Sequence, residues 1–286
     1  MKSMKKLGML LLALLLSCQA LLSFAQQEIA FDDLRSFAPS GTFLPEGAEP
    51  VVTESSYKSA NISITIEKRR EQDSDIYIAD IYLASMKHFK RAFSHDKWGS
   101  KAENPGSIVA RNQALLAITG DYSSLFEKGL VVANGEILRK TDNALRHNCL
   151  IYPDGRMETF GRGKMKVKEV LKGEPVWQSF LFGPELLKKG GEAFKKFDSK
   201  IGAANPRSVI GYYAPGHYCF VLVDGRSSEN RGIKMTPLSE LMQRLGCLAA
   251  YNLDGGQSAI MIFMGQTVNS PYRGGRALND LAYIGE

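Results

Sequence analysis

The sequence predicts a mixed α/β (α+β) fold: a single domain with a curved, mainly antiparallel sheet, flanking helices and a C-terminal βαβ unit. Three observations predict it. Turn dipeptides separate short apolar runs through the middle of the chain. A strand–helix–strand pattern fills about thirty residues near the C-terminal end, the length of a βαβ unit. No linker, repeat or low-complexity tract divides the 286 residues.

The elements follow in order. Lys2, Lys5 and Lys6 precede an uncharged apolar run from Leu7 to Leu22, which breaks at Ser23-Phe24-Ala25. A basic start, a short apolar core and a small-x-small exit read as a secretory signal peptide over residues 1–25. Ser17, Cys18 and Gln19 interrupt the run, which disfavours a membrane span in the mature chain. Leu15-Leu16-Ser17-Cys18 offers the alternative of a lipid anchor at Cys18, against which the apolar stretch beyond it argues. The expected location is therefore exported, periplasmic or cell-surface. Removing residues 1–25 leaves 33 basic against 30 acidic residues, spread without blocks. No basic stripe marks a nucleic-acid binder. Cys149, Cys219 and Cys247 remain, each in an apolar stretch, and are read as buried thiols, with one disulfide as the alternative.

Residues 26–60 carry Pro39, Gly41, Pro45, Gly47 and Pro50 and read as an irregular lead-in to a domain over 61–286. Alternating runs at 61–66 and 75–83 form a pair of strands, with the polar string Arg69-Arg70-Glu71-Gln72-Asp73 between them. Residues 86–113 read as helical or irregular, and 114–118 as a buried strand ending on Thr119-Gly120-Asp121-Tyr122. Asn134-Gly135, Asp154-Gly155 and Pro215-Gly216 each lie between apolar runs and mark hairpin turns. The strand ending at Val223 leads to a helix with Thr236 as N-cap and Pro237 in its first turn, stopped by Gly246. A second strand, Cys247 to Leu253, follows. The crossover makes the two strands parallel.

Both of those strands end in Asp-Gly. Parallel strands put Asp224 and Asp254 on one edge of the sheet, where ligands of α/β sheets bind. Two carboxyls held roughly 5–10 Å apart suit glycoside hydrolysis, one as acid and the other as nucleophile or base. Asp121 joins them as a third candidate. Arg207 and Arg226 are planar, bidentate donors suited to a phosphate. Asn252 and Ser258 flank Asp254 and are placed to orient a sugar or phosphate oxygen. The competing reading is structural: Asp-Gly is a common turn dipeptide, as Asp154-Gly155 illustrates, and such polar side chains often satisfy turn backbone. His88, His95, His147 and His217 show no metal-binding spacing, and no Gly-x-Ser-x-Gly elbow, Walker motif or dinucleotide fingerprint is present.

Four stretches then carry a resemblance: Ile118 to Tyr122, Ser179 to Leu187, Ala203 to Gly211 continuing to Val223-Asp224-Gly225-Arg226, and Ala250 to Ser258 with Val268-Asn269 beyond. In order and spacing they resemble the phosphodiester glycosidase family, which includes the lysosomal uncovering enzyme and bacterial exported proteins described as exopolysaccharide-related. The similarity spans about residues 75–286. It implies a pocket lined by Asp121, Arg207, Asp224, Asn252, Asp254, Gly255, Gly256 and Ser258, with Thr119 and Tyr122 beside Asp121. Gln257 stands where the family usually has a third glycine, Thr119 where many members have Asn, and Ser208 where Thr is usual. The implied activity is hydrolysis of a glycosyl phosphodiester in envelope or host glycans, with Asp254 the first choice for a catalytic carboxyl and Asp224 the second. No resident cofactor is expected, although a divalent cation stays open. Two rivals remain: a non-catalytic surface polysaccharide-binding protein using Tyr122, Tyr213 and Tyr272, and a cation-assisted phosphodiesterase with Asp121, Asp224 and Asp254 as oxygen ligands.

Overall fold

Hairpins build most of the molecule. A computed structural model describes residues 29–286, so the signal-peptide reading of residues 1–25 and the Cys18 anchor lie outside the described residues. A seven-stranded sheet runs in the order β1 (Val51–Val52), β2 (Ser56–Lys58), β3 (Ile62–Glu71), β4 (Ser74–Leu83), β13 (His217–Val223), β12 (Arg207–Ala214) and β14 (Ala249–Asn252). A five-stranded sheet runs β16 (Gln266–Thr267), β15 (Met261–Phe263), β6 (Leu116–Thr119), β17 (Asp280–Ile284) and β5 (Phe89–Phe93). Beside them lie a three-stranded sheet, β10 (Met157–Phe160), β9 (Asn148–Ile151) and β11 (Gln178–Phe180), and the hairpin β7 (Leu130–Ala133) to β8 (Glu136–Lys140). Four short α-helices accompany them among the described residues: α1 (Pro105–Arg111), α2 (Val167–Val170), α3 (Ser199–Gly202) and α4 (Met235–Arg244).

Strand pairing is antiparallel throughout the described residues. The predicted mainly antiparallel α+β architecture is therefore the observed one, divided among several sheets rather than carried by one. The three turn dipeptides sit where expected; Asn134 and Gly135, for instance, both take the left-handed backbone (φ 51° and 80°) that a tight hairpin requires. β13 and β14 both run antiparallel to β12 and so point the same way. That is the orientation the crossover demands, with β12 inserted between the two strands. Helix α4 makes the crossover and buries Leu238, Leu241 and Met242 in one cluster with Val209, Cys219, Val221 and Ala250. Each such side chain contributes about 1.5–3 kcal/mol on burial. Gly211, on β12, has no room for a side chain: a Cβ there meets the Cys219 and Cys247 sulfurs at 2.5 and 2.8 Å. The three cysteines are free and buried.

Several sequence expectations change. The polar string at 69–73 is mostly strand, because β3 continues to Glu71 while Lys68 and Arg70 pair with Asp75 across the hairpin, leaving only Gln72 and Asp73 as the turn. The 86–113 stretch contains β5, which the charges of Lys90 and Arg91 conceal. Thr236 does not cap α4: the N-cap is Lys234, without a side-chain cap, and the Thr236 hydroxyl donates instead to the Lys195 carbonyl at 3.5 Å. Within the 26–60 lead-in, β1 and β2 extend the large sheet, since Tyr57 opposite Ile64 is buried. None of the helices among the described residues is long and apolar enough to cross a membrane.

Candidate active site

The strand register assembles the site. Arg207 opens β12 opposite Val223, the last residue of β13, and Val209 on the same strand faces Asn252, the last residue of β14. Arg207, Asp224 and Asp254 thus share one end of the large sheet. A cavity of about 390 Å³ opens there, lined by Phe182, Gly183, Ile201, Asn205, Arg207, Arg226, Met235, Asn252, Asp254, Gly255, Gly256, Gln257 and Arg276.

Asp254 is the carboxylate that lines it. Its Oδ1 accepts from the Gly255 amide at 2.9 Å and its Oδ2 from Arg276 Nη2 at 3.0 Å. Arg276 Nε also donates to the Ser258 hydroxyl at 2.6 Å. Burial raises the Asp254 pKa above the ordinary carboxylate value, while Ser258, Arg276 and the Gly255 amide pull it down. Gly255 and Gly256 close the wall. A Cβ on Gly255 meets the Pro206 carbonyl at 2.6 Å, and Gly256 holds a left-handed backbone (φ 62°) against the Arg226 guanidinium.

The arginines set the charge. Arg207 is only 8% exposed, and its guanidinium donates to the Ile201, Ala203 and Ile233 carbonyls at 2.8, 2.7 and 3.4 Å. No carboxylate pairs with it among the described residues. Burial, and then the like charge of Arg226, lower its pKa to about 10, so it stays a cation at neutral pH. Arg226 bonds to Asn205 Oδ1 through Nε and Nη2, at 3.0 and 2.8 Å, and stacks over Tyr272 at 5.6 Å. Three arginines against one carboxylate give the cavity a positively charged lining.

The other expected residues occupy supporting positions. Asp224 does not line the cavity. It is 2% exposed, accepts from Asn269 Nδ2 at 2.8 Å and from the Ser270 amide at 3.0 Å, and has its pKa raised by burial against those two bonds. Asp121 lies deeper still: its carboxylate accepts from the Leu181 and Ser123 amides and from the fully buried Arg91, which Asp280 also grips. Burial pushes Asp121 up to about 6 although Arg91 pulls it down. Thr119 donates to the Ser258 carbonyl and accepts from the Ile260 amide at 3.1 Å, holding the loop beside Asp254. The Tyr122 ring lies under the Arg276 guanidinium at 5.5 Å. Asn252 lines the cavity and donates to the Gly183 carbonyl at 2.8 Å, leaving its buried Oδ1 without a partner. Sequence reasoning missed Arg276, Asn205, Arg91 and Asp280. The basic glycine loop Arg273-Gly274-Gly275-Arg276 was a signal available for the first; Arg91 and Asp280 gave none, being single charges inside strands.

The Arg91 centre is a fold element with a measurable signature. Arg91→Met leaves two buried carboxylates without their cation, and removing one partner of such a centre costs about 3–5 kcal/mol. Urea unfolding should show that loss. An unchanged midpoint together with lost activity would contradict the structural assignment.

Comparisons with known proteins agree with this geometry. A family model described as phosphodiester glycosidase matches residues 106–284. The SPbeta prophage-derived uncharacterized protein YomE of Bacillus subtilis (strain 168) is 28% identical over 176 residues, 60% of this chain and 26% of that protein. The N-acetylglucosamine-1-phosphodiester alpha-N-acetylglucosaminidase of Bos taurus is 25% identical over 186 residues, 59% of this chain and 34% of that protein. Both matches thus span well under two thirds of the curated relatives. Among solved structures, the zebrafish N-acetylglucosamine-1-phosphodiester alpha-N-acetylglucosaminidase catalytic domain, auto-inhibited by its pro-peptide, superposes with a TM-score of 0.63. It is 18% identical, the match covers 79% of this chain and 83% of that one, and the fold is shared.

Proposed function

The chain belongs to the phosphodiester glycosidase family, and from that premise we propose that it hydrolyses a glycosyl phosphodiester, releasing a sugar and leaving a phosphomonoester, at the cavity beside Asp254. The observation that carries this reading is Arg207, a buried guanidinium with no acidic partner among the described residues, facing the same cavity as the carboxylate of Asp254. Burying a cation without a counter-charge is costly. A phosphodiester supplies the missing charge.

The chemistry divides between the two ends of the cavity. When the bond from the anomeric carbon to oxygen breaks, the departing phosphomonoester gains negative charge rather than needing a proton. Arg207 and Arg226 neutralise that charge in a site poorly screened by water. Asp254 then acts ionised on the sugar side, as nucleophile or as base for water. Arg276 holds its carboxylate in place, and Thr119, Ser258 and Tyr122 hold Arg276 or its loop. Asp121 and Asp224 have their oxygens committed to other partners, so in this reading they support the walls. Three carboxylates therefore do not converge on a cation, and turnover without an added divalent ion is part of the proposal. So is export, to meet an envelope or host glycan.

The test is release of sugar from a panel of α- and β-linked glycosyl phosphodiesters with chelator present. Turnover that survives chelator supports the reading. Binding of envelope glycan without turnover on any substrate would replace it with a polysaccharide-binding protein. A second expectation concerns pH. An ionised Asp254 loses activity as pH falls through its own pKa, and burial places that acidic limb above the ordinary Asp value of about 3.9. Arg276→Gln removes a cation that favours the carboxylate, so the limb of kcat/KM should move to higher pH. A shift downward, or none, contradicts the role of Asp254.

A further inference from the structure

Two of the buried cysteines meet although they are 28 residues apart. Cys219 lies within β13 and Cys247 follows α4, and their sulfurs are 3.8 Å from one another. We propose that Cys219 and Cys247 are oxidised to a disulfide that clasps the two ends of the β13–α4–β14 crossover. The clasp goes beyond the glycosidase reading and does not depend on what the cavity cleaves.

The sheet shows what such a bond would hold. β13 and β14 do not pair with one another. β12 lies between them, with Gly211 opposite Cys219 on one side and opposite Ala250 on the other. The two cysteines therefore approach each other over β12 rather than along a shared edge. Gly211 leaves the space for them, because a Cβ there would meet the Cys219 sulfur, the Met242 methyl and the Cys247 sulfur at 2.5, 2.7 and 2.8 Å. A disulfide holds its sulfurs about 2.0 Å apart. The remaining approach is about 1.8 Å, a movement on the scale of side-chain rotation. β13 runs on to Asp224 and Arg226, and β14 to Asp254, so the bond would fasten the sheet edge at which the cavity opens. Cys149 stands apart on β9, opposite Thr159 and Phe180, and stays a thiol.

The oxidant is itself a disulfide, of a protein oxidoreductase or of glutathione. One cysteine thiolate attacks a sulfur of that disulfide and expels a thiol. The second cysteine thiolate then attacks the mixed disulfide and expels the other thiol. Two protein thiols are oxidised, one external disulfide is reduced to two thiols, and the two protons pass to the leaving sulfurs. Cys219 and Cys247 are 0% and 2% exposed. The hydrogen bond to Cys247, together with burial, pushes the Cys219 thiol well above its ordinary range, which suppresses the reactive thiolate. The exchange therefore belongs to folding, before α4 closes over the pair. Export, part of the proposed function, would bring the unfolded chain to such an oxidant.

The experiment takes the full-length chain expressed for export, traps its free thiols with iodoacetamide, and digests it in denaturant without reductant. Mass analysis should find the Cys219 and Cys247 peptides joined, two hydrogens lighter than the two thiol peptides together, with Cys149 alkylated. Alkylation of both Cys219 and Cys247, or a bond from either to another cysteine or to glutathione, overturns the proposal. Calorimetry gives a second answer. Closing a loop of this length should make dithiothreitol lower the wild-type thermal midpoint by about 5–10 °C and leave that of Cys247→Ala where it stands. An unchanged wild-type midpoint, or the same fall in Cys247→Ala, overturns the clasp. Neither cysteine lines the catalytic cavity, so failure here leaves the glycosidase reading standing.

Discussion

Asp254→Asn should abolish turnover while the protein stays folded. Losing a positioned acid–base or nucleophilic carboxylate typically removes at least about 10²–10⁴-fold of rate. The structural cost is small for stated reasons. The Asn side chain keeps an oxygen to accept from the Gly255 amide, which Asp254 Oδ1 now does at 2.9 Å. The ion pair lost is with Arg276, whose side chain is 41% exposed, and solvent-screened pairs contribute about 0–1 kcal/mol. The thermal midpoint should therefore move by no more than a few degrees, read by calorimetry beside the rate. Unfolding of the variant would instead make Asp254 a structural residue.

Arg207→Met should reduce kcat by about 10²–10³-fold, the usual loss when one preorganised donor to a developing negative charge is removed. It should do so without unfolding the protein. Arg207 has no ion pair to lose among the described residues, and methionine removes a buried cation at the cost of leaving the Ile201, Ala203 and Ile233 carbonyls without this donor. A ligand measurement isolates the phosphate role from the rate. Inorganic phosphate at about 100 times its Kd stabilises a one-site binder by about 2.7 kcal/mol. It should raise the wild-type thermal midpoint and do so far less for Arg207→Met. An equal rise in both proteins would place the anion elsewhere.

Much of this arrangement was legible in the sequence. Asn134-Gly135, Asp154-Gly155 and Pro215-Gly216 located three hairpins, because their backbone demands are local and do not depend on the rest of the fold. The strand–helix–strand pattern located the sheet edge where Arg207, Asp224 and Asp254 meet, because a crossover fixes strand direction. What it did not convey was which way each side chain turns. Asp224 and Asp254 look alike as Asp-Gly pairs, yet Asp224 faces Asn269 and Ser270 while Asp254 faces the cavity. That difference depends on the loop following β16, distant in sequence from both. Arg276 arrives from the same region; its basic glycine loop was a readable signal, but nothing local showed that it would meet Asp254. β5 was hidden for a different one: Arg91 breaks its apolar pattern and is tolerated only because Asp121 and Asp280 meet it inside the fold. A strand pattern records average polarity, and a buried ion centre is an exception that long-range contacts create.

The most direct test of the central claim is hydrolysis of a glycosyl phosphodiester in ¹⁸O-labelled water, with mass analysis of both products. Cleavage between the anomeric carbon and oxygen, with the arginines holding the departing phosphate, puts the label in the released sugar and leaves the phosphomonoester unlabelled. Label in the phosphomonoester would mean attack at phosphorus and would contradict the glycosidase account of this cavity.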